Sequence, residues 1–177
     1  MKTLSQPNHR PVRLRKELRP EDITVVVDTR EQAPFDLAPL QVCRGSLTTG
    51  DYSVVGLEDV IAIERKSLSD LVACCGVERD RFERELRRLL AYPVRVVIVE
   101  ASWSDLKAGD WRSKITPQAV MSSIAGWCAM GIPFLLCGDR AEAEACCART
   151  LFIAARRRWR ESLALASGVL GDREQAS

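Results

Sequence analysis

The sequence is nearly without histidine. Its single histidine, His9, lies in a polar N-terminal segment. A Ser-His-Asp triad, a Cys-His pair and a histidine metal site are therefore excluded from the folded body of the protein. Chemistry in this chain has to rely on carboxylates, lysine and arginine.

The chain also lacks the signatures of membrane, secreted and zinc-binding proteins. No apolar run approaches the roughly 18 residues that span a bilayer, and the first 20 residues are too basic and polar to resemble a secretory signal. None of the seven cysteines shows C-x-x-C spacing, which favours reduced, mostly buried side chains over zinc ligands. We therefore expect a cytoplasmic protein with no membrane partner.

Composition and charge indicate one domain with basic ends. The 177 residues are 46% hydrophobic and 28% charged, a balance that can bury one core. Residues 1–20 hold six Lys/Arg and one Asp/Glu. We predict a basic, disordered tail over residues 1–20, a domain over 21–160 and a C-terminal tail over 161–177. The basic ends fit a polyanionic partner, or they are plain solvated arms.

Hydrophobic patterning predicts a mixed α/β architecture. Residues 23–28 form a short β-branched run, and residues 47–66 are typical of a hairpin. Helices are expected over 67–75, 78–92, 116–130 and 139–161, with strands at 94–100 and 132–138 between them. Paired early strands followed by alternating helices and strands predict a three-layer α/β domain with a central mixed sheet flanked by helices.

A charge cluster ends one of the predicted strands. In the segment AIERK, Glu64 and Lys66 point to one face and Arg65 to the other, because side chains alternate along a strand. Asp51 lies on the other arm of the hairpin, and Asp28 ends another strand. If these strands are neighbours, three carboxylates and a lysine converge.

Converging carboxylates repel each other and need a counter-ion. Oxygen ligands select Mg²⁺ or Mn²⁺, and such a cation beside a lysine is suited to phosphodiester hydrolysis. The alternative is a salt-bridged cluster at a sheet edge, without chemistry.

The same residues carry a family resemblance. The segment TTGDYSVVGLEDVIAIERKSLSDL resembles the G-D-x(n)-E-R-K-x-x-x-D motif of XPF-type structure-specific endonucleases, with Gly50, Asp51, Glu64, Arg65, Lys66 and Asp70 at the motif positions. The upstream DTRE resembles the first acidic motif of that family, and the resemblance covers roughly residues 22–155.

The resemblance implies a restriction-endonuclease-like fold and Mg²⁺-dependent cleavage of branched or flap-like DNA, in DNA repair, recombination or replication. It implies Asp28, Asp51 and Glu64 as metal ligands, with Mn²⁺ as a substitute cation, and Lys66 as the catalytic lysine. The supporting residues would be Arg30 and Glu31 as an ion pair, Arg65 in an ion pair or on a phosphate, and Asp70 paired with Arg65 or Lys66.

The sequence shows no dedicated DNA-binding module. Family members commonly add a tandem helix-hairpin-helix module, for which these 177 residues leave no room. We expect the short, stand-alone type of prokaryotes and their viruses, gripping DNA through the core, the tails, a homodimer or heterodimer mate, or another protein. Residues Arg156, Arg157 and Arg158 are candidates for backbone contacts, or they end a helix that docks through its tryptophan. The arginines of helix 78–90 are either self-paired or a phosphate track.

Two other functions fit the same pattern. One is a catalytically silent DNA-binding or dimer-partner subunit that keeps the fold. The other is a Holliday-junction or other nuclease of the same superfold, since fold alone does not determine the substrate.

Overall fold

The structure is a computed structural model that describes residues 16–174, with side chains described as far as residue 169. After a 3₁₀ turn at Pro20–Asp22, the strands are β1 (Thr24–Asp28), β2 (Gln41–Gly45), β3 (Tyr52–Val54), β4 (Ile61–Ser67), β5 (Val94–Glu100) and β6 (Phe134–Leu136). The helices are α1 (Leu68–Cys74), α2 (Arg79–Leu89), α3 (Trp103–Ala108), α4 (Pro117–Ala129) and α5 (Arg140–Glu174).

The six strands form one mixed sheet in the order β2-β1-β3-β4-β5-β6. Strand β3 pairs antiparallel with β1 and with β4, whereas β4, β5 and β6 run parallel. The predicted hairpin is confirmed, and so is the condition that the strand ending at Asp28 lies beside it. Strands β1 and β2 are also parallel, although only a loop, and no helix, connects them.

Two hydrophobic cores, one on each face of the sheet, make the fold three-layered. On one face, Val27, Ile63 and Ile98 pack with Leu151 of α5. On the other face, residues of β4 and β5 such as Ala62 and Val97 pack with α1, α2 and α4. The apolar stripe of α2, which consists of Phe82, Leu86 and Leu89, is fully buried there. The predicted fold class is confirmed.

The last helix extends beyond its predicted end at residue 161. Helix α5 continues to Glu174, because residues 162–170 are rich in alanine and leucine, which favour helix. No helix within residues 16–174 combines the length and apolarity needed to cross a membrane. Most of the predicted basic tail lies outside the described residues.

Candidate active site

Strand alternation places the motif residues on the face of the sheet that carries α2. Glu64 and Lys66 share the parity of Ala62, whose side chain faces α2, and Asp51 precedes Tyr52, whose side chain faces α5. Asp51, Glu64 and Lys66 consequently line one cavity of about 230 Å³.

Gly50 brings Asp51 close to β4. Its φ is +79°, a left-handed conformation that costs other residues energy. A Cβ added here would lie 2.9 Å from the carbonyl oxygen of Ile63, and Asp51 N donates to that same oxygen at 2.7 Å. Only glycine permits this close approach of backbone to backbone, which explains the glycine that precedes the aspartate.

The Asp51 carboxylate is anchored on one side and open to the cavity on the other. Its Oδ2 accepts a hydrogen bond of 2.8 Å from Arg65 N. Burial, with the nearby charge of Glu64, raises the pKa of Asp51 to about 7 despite that bond. The shift reflects two carboxylates that share a poorly solvated space.

Glu64 and Lys66 form a buried ion pair. Glu64 is 7% exposed, and its Oε1 accepts from Lys66 Nζ. Burial raises the pKa of Glu64 although Lys66 opposes the shift. Burial is the largest single influence and lowers the pKa of Lys66, but the charge of Glu64 and the hydrogen bond to it, with smaller contributions from Cys74 and Asp51, together make the net shift upward. The Lys66 ammonium also lies 5.1 Å from the ring centroid of Phe82. The carboxylate and the ring together stabilise its charged form.

Asp28 does not line the cavity. It is 1% exposed, and both of its oxygens are engaged. Arg30 Nε donates to Oδ1 at 2.7 Å, and Leu47 N donates to Oδ2 at 2.7 Å. The hydrogen bond from Arg30 is the main reason that the pKa of Asp28 falls to about 2.

The predicted convergence of three carboxylates is therefore wrong for Asp28. Asp51 and Glu64 meet, whereas Asp28 holds the Arg30 guanidinium at the edge of the site. The predicted ion pair between Arg30 and Glu31 is also not found, because these two residues take different partners. Arg30 itself lines the cavity.

Arg65 points to the opposite face of the sheet and is enclosed there. Its Nε donates to Glu100 Oε1, and its Nη1 lies 3.2 Å from Glu31 Oε1. The guanidinium also stacks 5.2 Å from the Phe35 centroid. These contacts favour the ion-pair alternative over a phosphate contact and leave the guanidinium unavailable to DNA at the cavity.

The remaining predicted residues lie away from the cavity. The Asp70 carboxylate accepts from the Ser67 hydroxyl at 2.7 Å, so its predicted pairing with Arg65 or Lys66 is wrong. Arg157 and Arg158 bond Glu161 on α5. Arg158 lines a different cavity together with Thr24, which starts β1 and thus lies at the sheet end opposite Asp28. In these positions the predicted DNA contacts of Arg156, Arg157 and Arg158 stay predictions.

Helix α2 contributes Arg81, Glu85 and Arg88 to the cavity. The two arginines are among those of helix 78–90 for which the sequence left self-pairing or a phosphate track open, whereas Glu85 was not predicted. The i, i+4 spacing of Arg81 and Glu85 led to the expectation of self-paired surface charge, and the pair does form at 2.9 Å. Glu85 also borders the buried stripe. With 100° of rotation per residue, its side chain lies between those of Leu89 and Arg81 around the helix axis. A charged residue at the edge of an apolar stripe was the available signal.

The donor set suits a hard divalent cation. Asp51 and Glu64 offer carboxylate oxygens, and Glu85 Oε2 is buried with no hydrogen-bond partner. No three acidic, histidine or cysteine side chains of the described residues stand close enough to hold one ion. Mg²⁺ commonly binds one or two carboxylates and keeps several waters, so Asp51 and Glu64 would be its protein ligands.

Comparison with known proteins agrees with the motif. The chain matches the ERCC4 domain over residues 27–147. The chain belongs to the ERCC4 domain family. The matched range contains Asp28, Asp51, Glu64, Lys66 and Glu85, and the resemblance to an XPF-type nuclease domain is confirmed.

Solved structures with the same fold include two of XPF from Aeropyrum pernix. One has a TM-score of 0.62 at 24% identity, covering 75% of this chain and 62% of that chain. The other, a complex with DNA, has a TM-score of 0.60 at 24% identity and covers 77% and 66%. This chain therefore spans less than two thirds of either. No curated protein matches.

Proposed function

We propose that the protein is a metal-dependent endonuclease that hydrolyses phosphodiester bonds in branched or flap-like DNA, in repair, recombination or replication. The observation that supports it most is that Asp51, Glu64 and Lys66 line a single cavity, as a hydrolytic site requires. A purely structural salt bridge would need only Glu64 and Lys66. The half-buried Asp51, with its raised pKa, would add nothing but repulsion to it.

Each of these side chains has a distinct task in the proposed reaction. Asp51 and Glu64 would hold Mg²⁺ or Mn²⁺, and the bond from Arg65 N fixes one oxygen of Asp51. When bound, such a cation supplies a more acidic water and neutralises charge on a phosphate. The chain itself supplies a fixed geometry, because Glu64 stands on β4 and Asp51 immediately precedes β3, the strand paired with β4.

Lys66 acts in this scheme as a cation rather than as a free base. Its ammonium is hydrogen-bonded to Glu64 and its pKa is raised, so it is protonated at neutral pH. From that position it orients a water or stabilises negative charge on a phosphate oxygen through its remaining N–H groups.

The rim of the cavity suits a polyanion. Arg30, Arg81 and Arg88 all line it, and Arg88 has no ion-pair partner among the residues that the structure describes. One of the two similar structures is a complex with DNA, which supports DNA as the polyanion. We assign Arg88 to a backbone phosphate, where it contributes affinity without reading sequence.

We further propose that two nuclease domains pair through α4. Residues 117–130 contain no charged side chain, yet the outer face of this helix is exposed at Ala125, Gly126 and Met130. Trp127 and Ile124 of the same helix pack in the core, where both are buried. The exposed small residues let a second helix approach closely, in a homodimer or heterodimer.

Cleavage assays on flap, fork, four-way junction, single-stranded and duplex DNA test the proposal. We expect cutting of branched DNA with Mg²⁺ or Mn²⁺, none with a chelator, and none by Lys66→Ala or Glu64→Ala. Lys107→Ala, which removes an exposed lysine of α3 that does not line the cavity, is the matched control and should cut. A parent protein that binds branched DNA but never cuts it would make the silent-subunit alternative correct. Equal cutting by the parent and Lys66→Ala would contradict the assigned role of Lys66.

A further inference from the structure

Glu85 has an unused hydrogen-bond acceptor inside the candidate site. It stands on α2, and its Oε1 accepts from Arg81 Nη1 at 2.9 Å. Its Oε2 is buried and accepts from no group of the described protein. A buried acceptor without a partner is unfavourable, so it indicates a ligand that the chain itself does not provide.

Two neighbouring cations are already engaged through other atoms. Lys66 donates to Glu64, and Arg81 is divided between Glu85 and Glu78. Arg81 thus holds Glu85 in one orientation through Oε1 and leaves Oε2 free. The carboxylate of Glu85 is close enough to that of Glu64 for charge coupling, since Glu85 contributes to the raised pKa of Glu64.

We propose that Glu85 is a third acidic residue of the site and that it helps to bind the divalent cation through the water shell of that cation. This inference rests on the proposed function. Direct ligation by all three acids does not fit, because no three such side chains among the described residues stand close enough to share one ion. A water between Glu85 and a cation on Asp51 and Glu64 satisfies the free Oε2 and keeps the hydration that Mg²⁺ favours.

Glu83 offers a matched control on the same helix. It has similar side-chain exposure, 29% against 21% for Glu85, and a similar ion pair, with Arg79 at 3.0 Å. It does not line the cavity. Glu83→Gln and Glu85→Gln therefore remove the same charge from α2, but only the second removes it from the site. Arg81 keeps Glu78 in both variants, which preserves the start of the helix.

The test is the binding of Mn²⁺ to the DNA-free protein, measured by calorimetry and by electron paramagnetic resonance. Far-ultraviolet circular dichroism checks that each variant is folded. We expect Glu85→Gln to weaken Mn²⁺ binding roughly 10–100-fold, the range for lost second-layer partners, and Glu83→Gln to bind like the parent. Glu64→Gln should weaken binding at least as much as Glu85→Gln.

The outcomes separate this inference from the proposed function. If Glu64→Gln weakens Mn²⁺ binding while Glu85→Gln binds no more weakly than Glu83→Gln, the role of Glu85 is overturned and the proposed site stands. If the parent binds no Mn²⁺, both fail together. If Glu83→Gln and Glu85→Gln weaken Mn²⁺ binding equally, the loss comes from the reduced negative charge of α2 as a whole, and the role of Glu85 is again overturned.

Discussion

Replacing Arg65 by methionine should cost far more stability than replacing an arginine on the surface. The Arg65 side chain is 15% exposed, and its carboxylate partners, Glu31 and Glu100, are 8% and 13% exposed. Removing one partner of a buried ion pair typically costs about 3–5 kcal/mol, because the other charge is left without compensation. Methionine keeps the apolar stem and removes only the guanidinium.

Two local contacts place the expected loss at the lower end of that range. Glu31 Oε1 also accepts from Ala33 N at 2.7 Å, and Arg140 Nη1 lies 3.9 Å from Glu100 Oε1. Each carboxylate therefore keeps one favourable interaction without Arg65. We expect the free energy of unfolding to fall by about 3 kcal/mol.

Urea unfolding followed by circular dichroism measures this loss, with Arg157→Met as the control. Arg157 is 80% exposed and pairs with Glu161, and such surface pairs contribute about 0–1 kcal/mol. Equal losses in the two variants would refute the reasoning. A phosphate contact by Arg65 predicts the reverse pattern, in which Arg65→Met unfolds like the parent and loses DNA affinity.

Three further predictions concern the site and its surroundings. Gly50→Ala should lower the free energy of unfolding by about 2 kcal/mol or more, since the residue has φ +79° and its Cβ would lie 2.9 Å from Ile63 O; a neutral result in urea would contradict the close approach. Asp28→Asn should remove up to about 2 kcal/mol at pH 7, reduced by solvent screening at the exposed Arg30. The folded pKa of Asp28, about 2, is below its ordinary value of 3.8. This stabilisation should therefore be complete above pH 4 and disappear as the pH falls from 3.8 through 2. If the difference in unfolding free energy between parent and variant does not shrink over that range, the prediction is wrong. Ala125→Glu should shift a dimer to monomer in light scattering after size exclusion, and an unchanged mass at the dimer value would exclude the α4 face.

Local periodicity was sufficient to predict the centre of the site. The alternation of side chains along β4 placed Glu64 and Lys66 on one face and Arg65 on the other, and the short hairpin placed Asp51 beside them. Both rules operate over a few residues, so they do not depend on how the rest of the chain packs.

The main errors at the cavity concern side-chain positions and partners that tertiary packing selects. Asp28 is held by Arg30 because the loop that follows β1 turns back on it, and a strand-end rule contains no such information. Glu85 reaches the cavity because the Phe82 side of α2 packs on the sheet. The spacing of charged residues along α2 predicts the ion pair between Arg81 and Glu85, but it does not predict that this pair faces the cavity.

Cleavage of flap DNA under single-turnover conditions, with Asp51→Asn, Glu64→Gln and the double variant, is the most direct measurement of the central claim that these acids form one hydrolytic site. Residues that act as a unit give non-additive losses. We expect each single variant to lose most of the cleavage rate and the double variant to be hardly slower than the worse single one. A parental rate in either single variant, or losses that multiply as for independent residues, would contradict it.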